Sequence, residues 1–211
     1  MNSLKKSIIA LTIMLSAFLI TNVKGATLTE AEYNRLKLVF NDFRISAMSD
    51  EDAQKFLSTD LENNKKVSKY YRVTETTNGT TTTEVSKEEA TNAANNILAT
   101  KSTSHTTTYK NLEISAMKAG TNAYLVDVTV LWLISPYIKS YDVFAMRTDD
   151  ATVVEGTQQG TQGYIYKDGS SGVIDYSNNG TNMVKASNGF GISMNLLDAA
   201  NTYQCYISAM V

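Results

Sequence analysis

The segment YLVDVTVLWLI, residues 124–134, carries an apolar or aromatic side chain at every second position, beginning with Tyr124. A period of two predicts a β-strand whose even-numbered side chains face the core. The odd-numbered face is also rich in leucine but includes Asp127 and Thr129. We therefore expect a central strand that is covered on both faces. Pro136 should end it, because proline has no amide hydrogen to donate to a sheet.

Further strands are predicted on both sides of this segment. The run that follows Pro136 is expected to return beside it as an antiparallel neighbour, and a loop rich in glycine and glutamine is expected at Glu155 to Gly163. The predicted strands are Leu112 to Ala116, Tyr141 to Arg147, the two arms of a hairpin from Gly163 to Tyr176, Phe190 to Leu196, and Thr202 to Met210.

The chain before residue 100 combines helices with one hairpin. A capping box that starts at Thr29 begins one amphipathic helix, expected over Glu30 to Arg44. The same start signal recurs at Ser49 and at Ser86, so three helices are predicted. Between the second and third, Asn78-Gly79 predicts a β-hairpin, because both residue types tolerate the positive φ of a tight turn.

Together these elements predict an α+β fold in which N-terminal amphipathic helices pack with a mainly antiparallel β-sandwich or half-barrel. We divide the chain into a signal peptide at residues 1–25, a helical segment with one hairpin at residues 26–100, and an antiparallel β region at residues 101–211. The last two are expected to form one globular unit.

The N-terminal residues are typical of an export signal. Lys5 and Lys6 precede an apolar run from Ile8 to Ile20, which as a helix is too short for a bilayer core of about 30 Å. Small residues follow, so cleavage is expected between Gly25 and Ala26. We expect the mature protein to be secreted, outside the cell or on its surface. An uncleaved membrane anchor is the alternative.

Composition argues against several classes of function. The 211-residue chain has one Cys, one His and a formal net charge of -2. Without a basic block, neither a nucleic acid nor, after signal cleavage, a membrane is expected as a partner. Cys205 lies in a strand-like run and is predicted to be buried. His105, the single imidazole, lies among threonines and serines and cannot form a histidine-rich zinc site, so no catalytic residue, metal or cofactor is assigned.

Four carboxylates are the candidates for an enzymatic alternative. Asp149, Asp150, Asp168 and Asp175 lie near one another in the sequence. Two of them could hydrolyse a glycosidic bond if the fold placed them about 5 to 10 Å apart. The more common role of aspartate at turns is to accept hydrogen bonds from the local backbone.

Tyrosines supply the candidate binding residues. Tyr164, Tyr166 and Tyr176 cluster around one predicted hairpin. Such rings, apolar with a polar tip, can bind sugars or extended peptides. The alternative is ordinary packing between neighbouring strands.

Several motifs in the last half of the chain carry a resemblance. They are Ser140-Tyr141-Asp142-Val143, Asp175-Tyr176-Ser177, Asn179-Gly180-Thr181-Asn182-Met183 and Gly191-Ile192-Ser193-Met194-Asn195-Leu196. The stretch that contains them, Trp132 to Leu197, resembles uncharacterised secreted proteins of low-GC Gram-positive bacteria. The resemblance implies a bacterial, exported protein and brings no catalytic residue with it.

Two functional classes follow from these observations. The first is an exported, non-enzymatic module that binds a protein or a carbohydrate through its tyrosine-bearing loops. The second is a secreted hydrolase that depends on carboxylates. The sequence leaves the oligomeric state open.

Export gives the first testable prediction. Because the apolar run is short and small residues follow it, mass spectrometry of the culture supernatant should find a mature chain that begins at or within a few residues of Ala26. Recovery of only the full-length chain, in the membrane fraction, would contradict this prediction.

Overall fold

The computed structural model describes residues 25–76, 78–95, 105–136, 139–176 and 182–211. The predicted signal peptide therefore lies outside the described residues, apart from Gly25. The described helices are α1 (Glu30–Leu36), α2 (Asp42–Ser46), α3 (Asp50–Leu57) and α4 (Lys87–Asn95). The strands are β1 (Asp60–Thr76), β2 (Gly79–Val85), β3 (His105–Lys118), β4 (Tyr124–Trp132), β5 (Tyr141–Arg147), β6 (Gln159–Tyr166), β7 (Ser171–Tyr176), β8 (Met183–Ala186), β9 (Gly189–Asn195) and β10 (Ala200–Met210).

Two antiparallel sheets form the body of the protein. The large sheet has seven strands in the order β2-β1-β3-β4-β10-β6-β7, and the small sheet has three in the order β5-β9-β8. Strands from both sides of residue 100 belong to the large sheet, because β1 pairs along its length with β3. The predicted hairpin at Asn78-Gly79 is confirmed, and Gly79 has a φ of +130°.

The central strand β4 is buried on both faces, as its sequence predicts. Val128, Val130 and Trp132 belong to a core cluster between the two sheets, together with inward side chains of the small sheet. Leu125, on the opposite face, packs in a second cluster with the helices. The strand ends at Trp132, before the predicted stop at Pro136. One strand thus supplies both hydrophobic cores.

The segment Tyr141 to Arg147 is a strand, but the prediction that it returns beside β4 is wrong. As β5 it pairs with β9, in the small sheet. The neighbour of β4 on that side is the C-terminal strand β10. A strand at this point of the chain can cross to the facing sheet because both sheets bury their inner faces in the same core.

The helical layer packs on the outer face of the large sheet. The predicted single helix over Glu30 to Arg44 is two short helices, α1 and α2, because the Asn41 side chain accepts a hydrogen bond from the backbone of Arg44 and begins a new helix. Side chains of α1, α2 and α3 form one cluster with Met117 and Leu125 of the sheet. The helix starts at Ser49 and Ser86 are confirmed.

The predicted loop at Glu155 to Gly163 is confirmed as far as Gln158, but Gln159 to Gly163 belong to strand β6. Two glycines of this strand lie beneath large side chains. A β-carbon at Gly160 would lie 2.2 Å from Ile192, and one at Gly163 would lie 2.7 Å from Phe43. Glycine here permits the helices and the small sheet to approach opposite faces of one strand.

In the part of the chain that the structure describes, the helices are all too short or too polar to cross a lipid bilayer.

The single tryptophan tests the position of the core. Trp132 is 6% exposed in the cluster between the sheets. Trp132→Ala should reduce the free energy of unfolding by about 3 to 5 kcal/mol in urea titrations, because it leaves a large cavity. The matched control is Val67→Ala, at a side chain 56% exposed, which should change stability by about 0.5 kcal/mol or less. Equal losses in both variants would contradict the assigned core.

Candidate functional site

The most distinctive surface feature is a groove on the inner face of the large sheet. The small sheet covers only part of that face: Val73 of β1 is buried beneath it, whereas Val67 of β1 and Ile114 of β3 remain exposed. The groove has a volume of about 260 Å³. We call it the open groove; it is lined by Tyr71, Thr82, Lys110, Leu112, Val128, Val130 and the β5 segment Asp142 to Ala145.

The floor of the open groove is largely apolar and continues beyond its lining. Strand register places Leu112 and Ile114 on the same face as Val128 and Val130. Val67 of β1 lies opposite Ile114 on this face. Ile114 is 41% exposed and Val67 is 56% exposed, although their neighbours on β4 are buried. Such a continuous apolar strip on a sheet face is typical of a surface that binds another molecule.

The wall of the open groove is the outer edge of β5. Even-numbered positions on either side of β5 bond to the β9 side: Leu196 N–H donates to Ser140 O, and Thr148 N–H donates to Asn188 O. Val143 N–H instead donates to the Asp142 carboxylate, at 3.0 Å. The backbone of the odd-numbered residues therefore points toward the open groove. Among the described residues, no strand pairs with this edge.

One cation lies in the floor. The Lys110 ammonium nitrogen is 5.0 Å from the centroid of the Trp132 ring. No ion pair among the described residues includes Lys110. A half-buried ammonium that lies over an aromatic face and has no ion pair among the described residues retains the capacity to bind a carboxylate.

A buried charge pair lies on the other face of the large sheet. Arg44 Nη2 donates to Asp127 Oδ1 at 3.2 Å, and both side chains are at most 4% exposed. The guanidinium carbon is 4.1 Å from the centroid of the Tyr206 ring, and Thr129 donates to the second Asp127 oxygen. Burial raises the pKa of Asp127, and the Arg44 charge opposes that shift. This pair joins a helix to the sheet and has no opening in which a substrate could lie.

The three predicted binding tyrosines lie at the opposite edge of the large sheet, on β6 and β7. Tyr164 and Tyr166 contact each other edge to face, with centroids 5.2 Å apart. Tyr176 accepts a hydrogen bond from the backbone of Asn195 at 3.2 Å. All three rings are partly buried against the core between the sheets, and burial raises the pKa of Tyr164 and of Tyr176. Their role in binding stays a prediction.

Three of the four candidate carboxylates have separate partners. Asp168 accepts hydrogen bonds from the backbone and side chain of Ser170, and Asp175 accepts one from Thr161. Asp149 lies 3.9 Å from Arg147, at the surface after β5. None of these contacts joins two of the four carboxylates.

The remaining candidates for reactive side chains are Cys205 and His105. Cys205 is fully buried, as predicted, and burial raises the pKa of its thiol. The backbone of His105 pairs with Thr76 at the start of β3, while its side chain lies outside the described residues. Within the described ranges, no group of three or more His, Cys, Asp or Glu side chains could hold a metal ion.

Sequence reasoning missed the open groove because it mispaired β5. The clue in the sequence is that Leu112 and Ile114 alternate with polar residues as regularly as the buried residues of β4 do. Nothing in the sequence requires a later segment to cover these two side chains. Comparison with known proteins adds no relative: no family model, no curated protein and no solved structure matches this chain.

Proposed function

We propose that the protein is an exported, non-enzymatic binding module from a bacterial cell and that the open groove binds an extended segment of a partner protein. The observation that carries this proposal is the mismatch between the two sheets. The large sheet has more inner apolar surface than the small sheet covers, and an open strand edge borders the excess.

A protein segment fits this surface better than a sugar does. Sugar rings stack on flat, exposed aromatic faces, whereas Tyr164 and Tyr166 turn toward each other and pack against the core. The open groove instead combines aliphatic side chains with main-chain groups at a sheet edge. This combination is the one by which proteins bind extended peptides.

The hydrolase alternative has no comparable support. Three of its four aspartates take part in separate local contacts: Asp168 with a turn neighbour, Asp175 with a strand neighbour and Asp149 with Arg147. The open groove contains one carboxylate, that of Asp142, among its lining residues. Hydrolysis of a glycosidic bond in the usual manner needs two carboxyl groups that face each other across the substrate.

Selection from a random peptide library tests the proposal. The mature chain should retain peptides that compete with one another, and Ile114→Asn should weaken their binding about tenfold or more, because it replaces an apolar contact by a polar one. Fluorescence of the single tryptophan provides the readout, since the Trp132 ring contacts the ammonium group of Lys110, which lines the open groove.

The matched control is Val184→Asn, which changes an exposed apolar residue on β8. It should leave both the affinity and the unfolding midpoint unchanged. If the library gives no peptide whose binding depends on Ile114, the open groove is not the binding surface and the proposed function is wrong.

A further inference from the structure

The outer edge of β5 identifies how the proposed binding would occur. We infer that the occupant of the open groove adds to β5 as a further strand of the small sheet, with alternate side chains that are apolar and one that is acidic. This inference rests on the proposed function and names the class of its ligand.

The β5 backbone directs unpaired hydrogen-bonding groups away from β9. Since Ser140 and Thr148 bond to the β9 side, the alternation of an antiparallel ladder turns the N–H and C=O groups of Val143 and Ala145 to the other side. Ala145 is exposed, and its amide at that edge is available to an incoming carbonyl. A strand placed there would lie about 4.8 Å from β5.

In the free protein, a side chain already occupies part of that edge of β5. The Asp142 carboxylate accepts the hydrogen bond of Val143 N–H. An inward or capping charge of this kind protects an open edge from indiscriminate pairing. An added strand has to displace the carboxylate and supply its own carbonyl in its place, so Asp142 is a competitor of the ligand.

The large sheet beneath β5 favours a single segment over a second copy of the chain as the occupant. β1 and β3 continue beneath the edge of β5, because the groove lining includes Tyr71 and Leu112. Two copies that paired their β5 edges would each bring a wide large sheet against that of the other. An extended segment brings no large sheet of its own and can lie directly on the floor of the open groove.

The floor of the open groove indicates the chemistry of the segment. Side chains of a strand alternate between two faces, so every second residue of the occupant would face the floor at Leu112 and Val128. Those residues should be apolar. Lys110 lies on the same face of the large sheet, and no ion pair of the described residues includes it. A carboxylate at one inward position would therefore pair with its ammonium group.

The test uses a short synthetic peptide whose alternate residues are valine, glutamate and valine, separated by threonines, and the mature chain. Ala145→Pro should weaken its binding about five- to tenfold, because proline removes an edge donor while the bonds to β9 remain. The matched control is Lys185→Pro on β8. The N–H of Lys185 likewise points away from β9, because Asn182 accepts the hydrogen bond of Ser193 N–H and even-numbered residues of this ladder therefore face β9. It should have no effect on binding.

Two further variants separate strand addition from simple apolar contact. Asp142→Ala should tighten binding several-fold, because it removes the competitor for Val143 N–H. If the peptide bound by apolar contact alone, this substitution would not change its affinity. Replacing the peptide glutamate by glutamine should weaken binding to the wild type but not to Lys110→Met. Circular dichroism of every variant should match that of the wild type.

The outcomes also distinguish this inference from the proposed function. If Ile114→Asn weakens the peptide but Ala145→Pro and Asp142→Ala do not change its affinity, the groove binds peptides without strand addition, and only this inference is overturned. If the peptide fails to bind while library peptides bind in an Ile114-dependent manner, the assigned ligand chemistry is wrong. If no peptide depends on Ile114, both proposals are wrong.

Discussion

The ion pair between Arg44 and Asp127 links the helical layer to the large sheet at β4, a strand that contributes buried side chains to both cores. Both charges are buried, at 3% and 2% exposure, so each is deprived of its hydration. Such a pair adds little net stability, because desolvation offsets much of the attraction, but removal of one partner is costly. Its consequence is positional. A shift of β4 by one residue would turn Asp127 into the apolar core between the sheets, so the pair penalises a one-residue slip of register.

The position of the open groove depends on that register. With Asp127 facing the helices, Val128 and Val130 face the small sheet, and Leu112 and Ile114 of the paired β3 face the same way. Inward side chains of the small sheet occupy one part of this face and leave the rest to solvent. The open groove is thus the uncovered part of the inner face of the large sheet. The ion pair on the opposite face determines which side chains point into it.

Local sequence predicted the elements better than their partners. The Asn78-Gly79 turn, the helix starts and the alternation of β4 are signals contained within a few residues, and the structure confirms them. The helix break at Asn41 competes with a continuous apolar pattern and was outside the reach of periodicity alone. The assignment of β5 failed because a strand's own residues do not say which sheet it joins. Glycine in β6 signals a loop in the sequence, but in the fold it accommodates Ile192 and Phe43.

The candidate site was less predictable than the fold for a related reason. Asp127 in an apolar, doubly covered strand requires a buried partner, yet nothing local identifies Arg44, which lies 83 residues away. The groove residues come from all of β1 to β5 and meet only after the two sheets pack. The tyrosines could be identified as a cluster because they lie close together in the sequence, on the two arms of the β6–β7 hairpin.

The central role of the ion pair can be measured by urea unfolding of variants at its two positions. Arg44→Met alone should lower the free energy of unfolding by about 3 to 5 kcal/mol, because Asp127 would remain buried without its cation. The double variant Arg44→Met and Asp127→Leu should recover most of that loss, since an apolar pair of similar volume is close to neutral. A loss below about 1 kcal/mol in the single variant, or a loss in the double variant equal to the sum of the two single losses, would contradict the account.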